Sequence, residues 1–134
     1  MRNVPEDLAR RVWELGEAIS NDPHGRGVAA LQSLRALYES YAANPDPLLT
    51  EALADRTSDA REAITLYEAA LEQCAHFSDE PTYTKRRDLA LRLREVGDTV
   101  KARAQAELAL KEATRSGDAE YVANAQELLR VMGV

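Results

Sequence analysis

Residues 97–113 read GDTVKARAQAELALKEA, and Ala102, Ala106, Ala109 and Ala113 follow one another at steps of four, three and four. Those steps put all four on one side of an α-helix, with Leu110 beside them. A helix with so narrow a side lets a neighbouring backbone come close. The chain is therefore read as helices packed tightly along small-residue seams.

Apolar spacing of the same kind runs through most of the sequence. Leu8, Val12, Leu15 and Ile19 mark a first helix, with Pro5 near its start, where a missing N–H costs little. After the breaker SNDPHGRG, the residues Val28, Leu31, Leu34, Tyr38 and Tyr41 mark a second, closed by AANPDP. A short third helix covers about 47–56. The fourth starts at the cap Ser58 and carries Ala63, Ile64, Tyr67, Ala70, Leu71 and Cys74. The fifth holds Leu89, Ala90, Leu93 and Val96 and stops at Gly97, a residue suited to the left-handed position after a helix. The alanine-rich stretch is the sixth, and Val122, Ala125, Leu129 and Met132 mark a seventh after Ser116-Gly117-Asp118.

The pattern also repeats. A shift of 39 lays Asp59, Ala63, Glu68, Ala70 and Leu71 on Asp98, Ala102, Glu107, Ala109 and Leu110; a shift of 34 lays Ala29, Ala36 and Leu37 on Ala63, Ala70 and Leu71. A period of about 20–50 residues with apolar faces indicates stacked repeats.

On these residues the chain resembles the tetratricopeptide repeat (TPR) family, in its longer-helix bacterial form. Ala63, Tyr67 and Ala70, then Ala102, Ala106 and Ala109, match the small–aromatic or small–small pattern of that family's second helix. Gly97-Asp98 matches its inter-helix turn, and Leu15-Gly16 and Leu89-Ala90 stand at its first-helix Leu-Gly position. The proline that usually closes the second helix is missing, and Pro45 and Pro81 fall later, where they start the next helix. The resemblance implies an all-α fold of stacked antiparallel hairpins in one domain, 1–134. The hairpins cover about 5–43, 47–76 and 82–115, and a capping helix at 118–132 has Glu120, Asn124, Glu127 and Arg130 on its polar side. It also implies a non-catalytic protein-binding module.

Composition narrows the classes of function. Aromatic residues are 5% of the chain, and alanine and leucine, both strong helix formers, carry the apolar content. The single Cys74 cannot form an internal disulfide, and the N-terminus MRNVPEDLARR has no signal-peptide core, so a soluble cytoplasmic protein is expected. The net charge of −6 argues against general nucleic-acid binding, which depends on neutralising phosphates. No run is apolar enough to span a membrane. Charge is lopsided: residues 1–80 hold seven Lys/Arg and fifteen Asp/Glu, a net of −8, and residues 81–134 hold ten and eight, a net of +2.

Catalytic and metal chemistry have no foothold in the residue pattern. His24 and His76 lack companions at ligand spacing, and no GxxxxGK[ST], HExxH or GxSxG occurs. No cofactor is expected. Cys74 extends the stripe of Ile64, Tyr67 and Leu71 into the core, and Trp13 is expected to pack between helices.

One segment rises above background: TKRRDLALRLRE, residues 84–95. There Lys85, Arg86, Arg87, Arg92 and Arg94 face Asp88 and Glu95 for a local +3. The resemblance puts the first helix of each hairpin on a concave groove. With Gly97 at the turn, Thr84, Arg87, Asp88, Leu91, Arg94 and Glu95 face that groove. Arg87 and Arg94, seven apart around Leu91, suit a partner segment bearing acidic groups. A salt-sensitive homo-oligomer, acidic half against basic half, is the second reading, and a histidine phosphotransfer protein is a third.

Overall fold

The computed structural model describes residues 6–21 and 26–133. They form seven α-helices and no strand: α1 (Glu6–Ser20), α2 (Arg26–Ser40), α3 (Pro47–Asp55), α4 (Ala60–Gln73), α5 (Tyr83–Glu95), α6 (Thr99–Ser116) and α7 (Ala119–Val131). A single 3-10 turn, Cys74–His76, prolongs α4. Pro5 and His24 lie outside the described residues.

Local chemistry fixes the helix ends. Asp46 caps α3 by accepting from the Leu48 N–H at 2.9 Å, and Pro47 takes the first helical position, where it gives up no hydrogen bond. Asp59 Oδ1 accepts from the Arg61 N–H at 2.9 Å, so Asp59 caps α4, one residue beyond the expected Ser58. Two Gly-Asp pairs each serve two helices. Gly97 (φ 85°) lets the Asp98 N–H reach the Leu93 carbonyl at 2.9 Å and its own N–H reach the Arg94 carbonyl at 3.0 Å, closing α5. Asp98 then caps α6 through the Lys101 N–H. Gly117 (φ 74°) and Asp118 repeat the device between α6 and α7, with Tyr121 N–H as the capped donor.

Each helix packs on its successor, and α1 also touches α3 while α5 also touches α7. The α5–α6 contact is the most extensive. Ala90 of α5 and Ala102, Ala106, Ala109 and Ala113 of α6 are all buried, and their lack of bulk is what lets the axes approach. The core is strung along the chain. Leu8, Leu34, Leu49 and Leu53 form one cluster with Val12, Leu15 and Tyr38 against it. Ala54, Ala63, Tyr67, Leu89, Leu93 and Ala102 form a second, which Leu66 joins to the first. Ala90, Ala106 and Leu128 form a third, linked to the second by Met132. Helix α5 therefore buries only one face: Lys85, Leu89, Ala90 and Leu93 are inside, whereas Arg94 and Glu95 are exposed.

Trp13 departs from the sequence expectation. It is 66% exposed rather than packed between helices. The buried stripe of α1 runs through Leu8, Val12 and Leu15. Trp13 is one residue past Val12, about 100° around the helix, and so leaves that stripe.

Candidate functional site

The basic segment of α5 is mostly occupied by internal pairing. Lys85 is 0% exposed, and its ammonium donates to Glu51 Oε1 at 3.0 Å, Glu80 Oε2 at 3.3 Å and the Pro81 carbonyl at 2.9 Å. Arg86 Nε lies 2.9 Å from both oxygens of Glu112, and its Nη1 is 3.0 Å from Gln105. Arg92 donates to the Thr57 carbonyl at 2.7 Å and pairs with Glu95 at 3.3 Å. The local +3 counted along the chain is thus met by Glu51, Glu80 and Glu112 from other elements.

Of the six residues assigned to the groove, three come together. Thr84 donates to Glu51 Oε2 at 2.8 Å. Arg87 pairs with Asp88 at 3.5 Å, and its guanidinium carbon sits 5.9 Å from the centre of the Tyr121 ring on α7. Leu91 is half-buried against the third core cluster. Arg94 lies apart, exposed, beside Thr99, Val100, Arg103 and Val131 where α5, α6 and α7 meet, and it makes no ion pair among the described residues. Glu95 belongs to the pair with Arg92.

Beside Thr84, Arg87 and Asp88 is a group of side chains from α3 and α4, of which the sequence had marked only Tyr67, and that as part of an apolar stripe. Asp55 of α3 accepts a hydrogen bond from the Tyr67 hydroxyl, and the Asp88 carboxyl stands close enough to feel its charge. Glu51 sits one turn before Asp55. Desolvation, then the charge of Asp55, pushes the Asp88 carboxyl up to about 7. Glu51 and Asp55 are also held above the ordinary carboxylate range, first by desolvation. Tyr67 is held strongly in its neutral form, first by desolvation and then by Asp55. Three carboxyl groups are crowded across the α3–α5 seam, and Lys85 approaches them from within the core.

The same surface continues onto α1. A cavity of about 240 Å³ opens between α1 and α3. Trp13, Gly16 and Glu17 form one wall, at steps of three and four, and Glu51, Ala52 and Asp55 form the other, likewise one helical stripe. Those two spacings were the signal available in the sequence. Arg56 lies at the base. Its Nη2 would be 3.2 Å from a Cβ placed on Gly16, and its buried Nε makes no hydrogen bond. Larger clefts of about 600 and 640 Å³ open between α4 and α6 and beside the 78–82 loop, but they hold no comparably exposed aromatic ring.

His76 is exposed at the end of the 3-10 turn, and Cys74 is buried. Among the described residues no group of three or more His, Cys, Asp or Glu could hold a metal ion, and no helix is long and apolar enough to cross a membrane. The chain matches no protein-family model, no curated protein and no solved structure.

Proposed function

We propose that this chain is a non-catalytic protein-interaction module, a TPR-like stack of helix hairpins that receives a partner segment on the side formed by α1, α3, α5 and α7. One observation carries the reading. Helices α3, α5 and α7 meet through polar and aromatic side chains (Glu51 with Thr84, Arg87 with Tyr121), and α1 and α3 leave an open cavity beside an exposed tryptophan. A large aromatic on a concave, partly apolar surface is the usual anchor of a protein contact. Thr84, Arg87, Asp88 and Leu91 lie along the middle of this side. Arg94 and Glu95 extend it to the end of α5, where Arg94 offers a guanidinium to an acidic group of the partner.

The test is capture of partner proteins by the immobilised chain, compared among variants of unchanged helicity. Trp13→Ala, and Arg87→Glu combined with Arg94→Glu, should deplete the captured set, whereas Leu108→Glu on α6 should leave it intact. A captured set indifferent to both variants of the α1/α3/α5/α7 side rules out the assignment of that side.

A further inference from the structure

We infer that the cavity between α1 and α3 receives a lysine or arginine side chain of the partner segment, with its alkyl stem on the apolar lining and its charge against the Trp13 ring and the Glu17 and Asp55 carboxylates. The inference rests on the partner-binding reading above and adds the chemistry of one contact.

Size speaks first. At about 240 Å³ the cavity is smaller than the roughly 300–1,000 Å³ of sites that enclose small organic ligands. It suits one side chain presented by another molecule. The apolar part of the lining is Val12, Leu34, Leu48 and Ala52, all aliphatic. The rim is polar and carries three carboxylates, Glu17, Glu51 and Asp55, against one guanidinium, that of Arg56. Such an arrangement fits an amphipathic cation, whose methylene stem favours an apolar surface and whose head favours water and anions.

The rim groups differ in how far they are already used. Glu51 is bound to Lys85 and Thr84. Glu17 is exposed, and its carboxylate accepts from the Asn21 amide, one turn away, at 3.1 Å. Asp55 accepts the Tyr67 hydroxyl, stands beside the Asp88 carboxyl and is held above the ordinary carboxylate range first by desolvation, so a cation brought to it would favour its charged form. Trp13 supplies an open indole face, the best aromatic partner for a cation. Arg56 offsets part of this charge, because its guanidinium acts on Asp55, but its Nε is buried and its Nη2 would be only 3.2 Å from a Cβ on Gly16, so Glu17 keeps its charge at the exposed side of the cavity.

Trp13 is the sole tryptophan, so its emission reports on the cavity directly. The full chain is titrated with dodecapeptide pools, randomised apart from one fixed central residue: arginine, lysine, leucine or glutamate. The arginine and lysine pools should change Trp13 emission saturably and more weakly as salt rises. Glu17→Gln with Asp55→Asn, at unchanged helicity, should weaken that binding by about five-fold, the effect of two screened charge contacts. Glu17→Gln alone, at an exposed position, gives a smaller loss and stands in if the double variant does not fold. An equal response to the leucine pool overturns the inference by showing a purely apolar pocket. Preference for the glutamate pool overturns it in favour of Arg56 as the anchor. Silence of every pool, while Trp13→Ala still depletes captured proteins, overturns the inference and leaves the partner-binding side standing.

Discussion

Replacing Lys85 by methionine should strongly destabilise the protein. The side chain is wholly buried, and its three ammonium hydrogens face three acceptors: Glu51, Glu80 and the Pro81 carbonyl. Methionine retains most of the volume but removes the cation that the two carboxylates share. Glu80 is itself only 8% exposed. Breaking a buried pair by deleting one partner costs about 3–5 kcal/mol. That is a large part of the roughly 5–15 kcal/mol available to a whole domain. With a urea dependence of about 1–3 kcal/mol per molar, the unfolding midpoint should fall by about 2 M. A triple variant, Lys85→Met with Glu51→Gln and Glu80→Gln, should recover at least half of the loss, because no charge is then left stranded. Urea unfolding followed by circular dichroism measures both. A single variant within about 1 kcal/mol of wild type would refute the argument, as would a triple variant no better than the single one.

Three further outcomes follow from the same packing. Ala106→Leu places extra methylenes where α6 packs on α5 and α7, at a position 0% exposed, and should cost about 1–3 kcal/mol in urea unfolding; a neutral result would mean the helices are not held that close. Gly97→Ala should cost about 1–2 kcal/mol from backbone strain alone, since the residue has φ 85° and a Cβ there would meet nothing within 4 Å, and a thermal melt unchanged from wild type would contradict that conformation. Asp88, pushed up to about 7, keeps a proton in the folded protein that the unfolded chain releases near pH 4. Its contribution is therefore fully present below about pH 4 and is lost as pH rises through 7, by at most about 1.4 kcal/mol per pH unit. Asp88→Asn should accordingly gain stability relative to wild type between pH 5 and pH 8, and urea midpoints showing no such gain would refute the account of a proton held on Asp88.

The helices were legible in the sequence because a 3.6-residue period is a local property, and Gly97-Asp98 and Gly117-Asp118 announce turns by chemistry that needs no distant partner. The candidate site was legible only in part, because electrostatics is not local. Lys85 counted as one of five cations of a local +3 in the sequence, yet its acidic partner Glu51 lies 34 residues away, and the partner of Arg86, Glu112, lies 26 away. Even so, the stripe held a warning. Lys85, Leu89 and Leu93 stand four apart, so the apolar face of α5 already passed through position 85. A lysine on such a face must bring carboxylates in with it, since an unpaired buried ammonium would be neutralised instead. Trp13 shows the converse. Its hydrophobic character suggested burial, but its place one residue off the stripe of Val12 and Leu15 dictated exposure. For both residues angular position outweighed residue type. The same rule directs attention from the run of positive charges on α5 to the stripes Trp13–Gly16–Glu17 and Glu51–Asp55, which face each other across an open cavity.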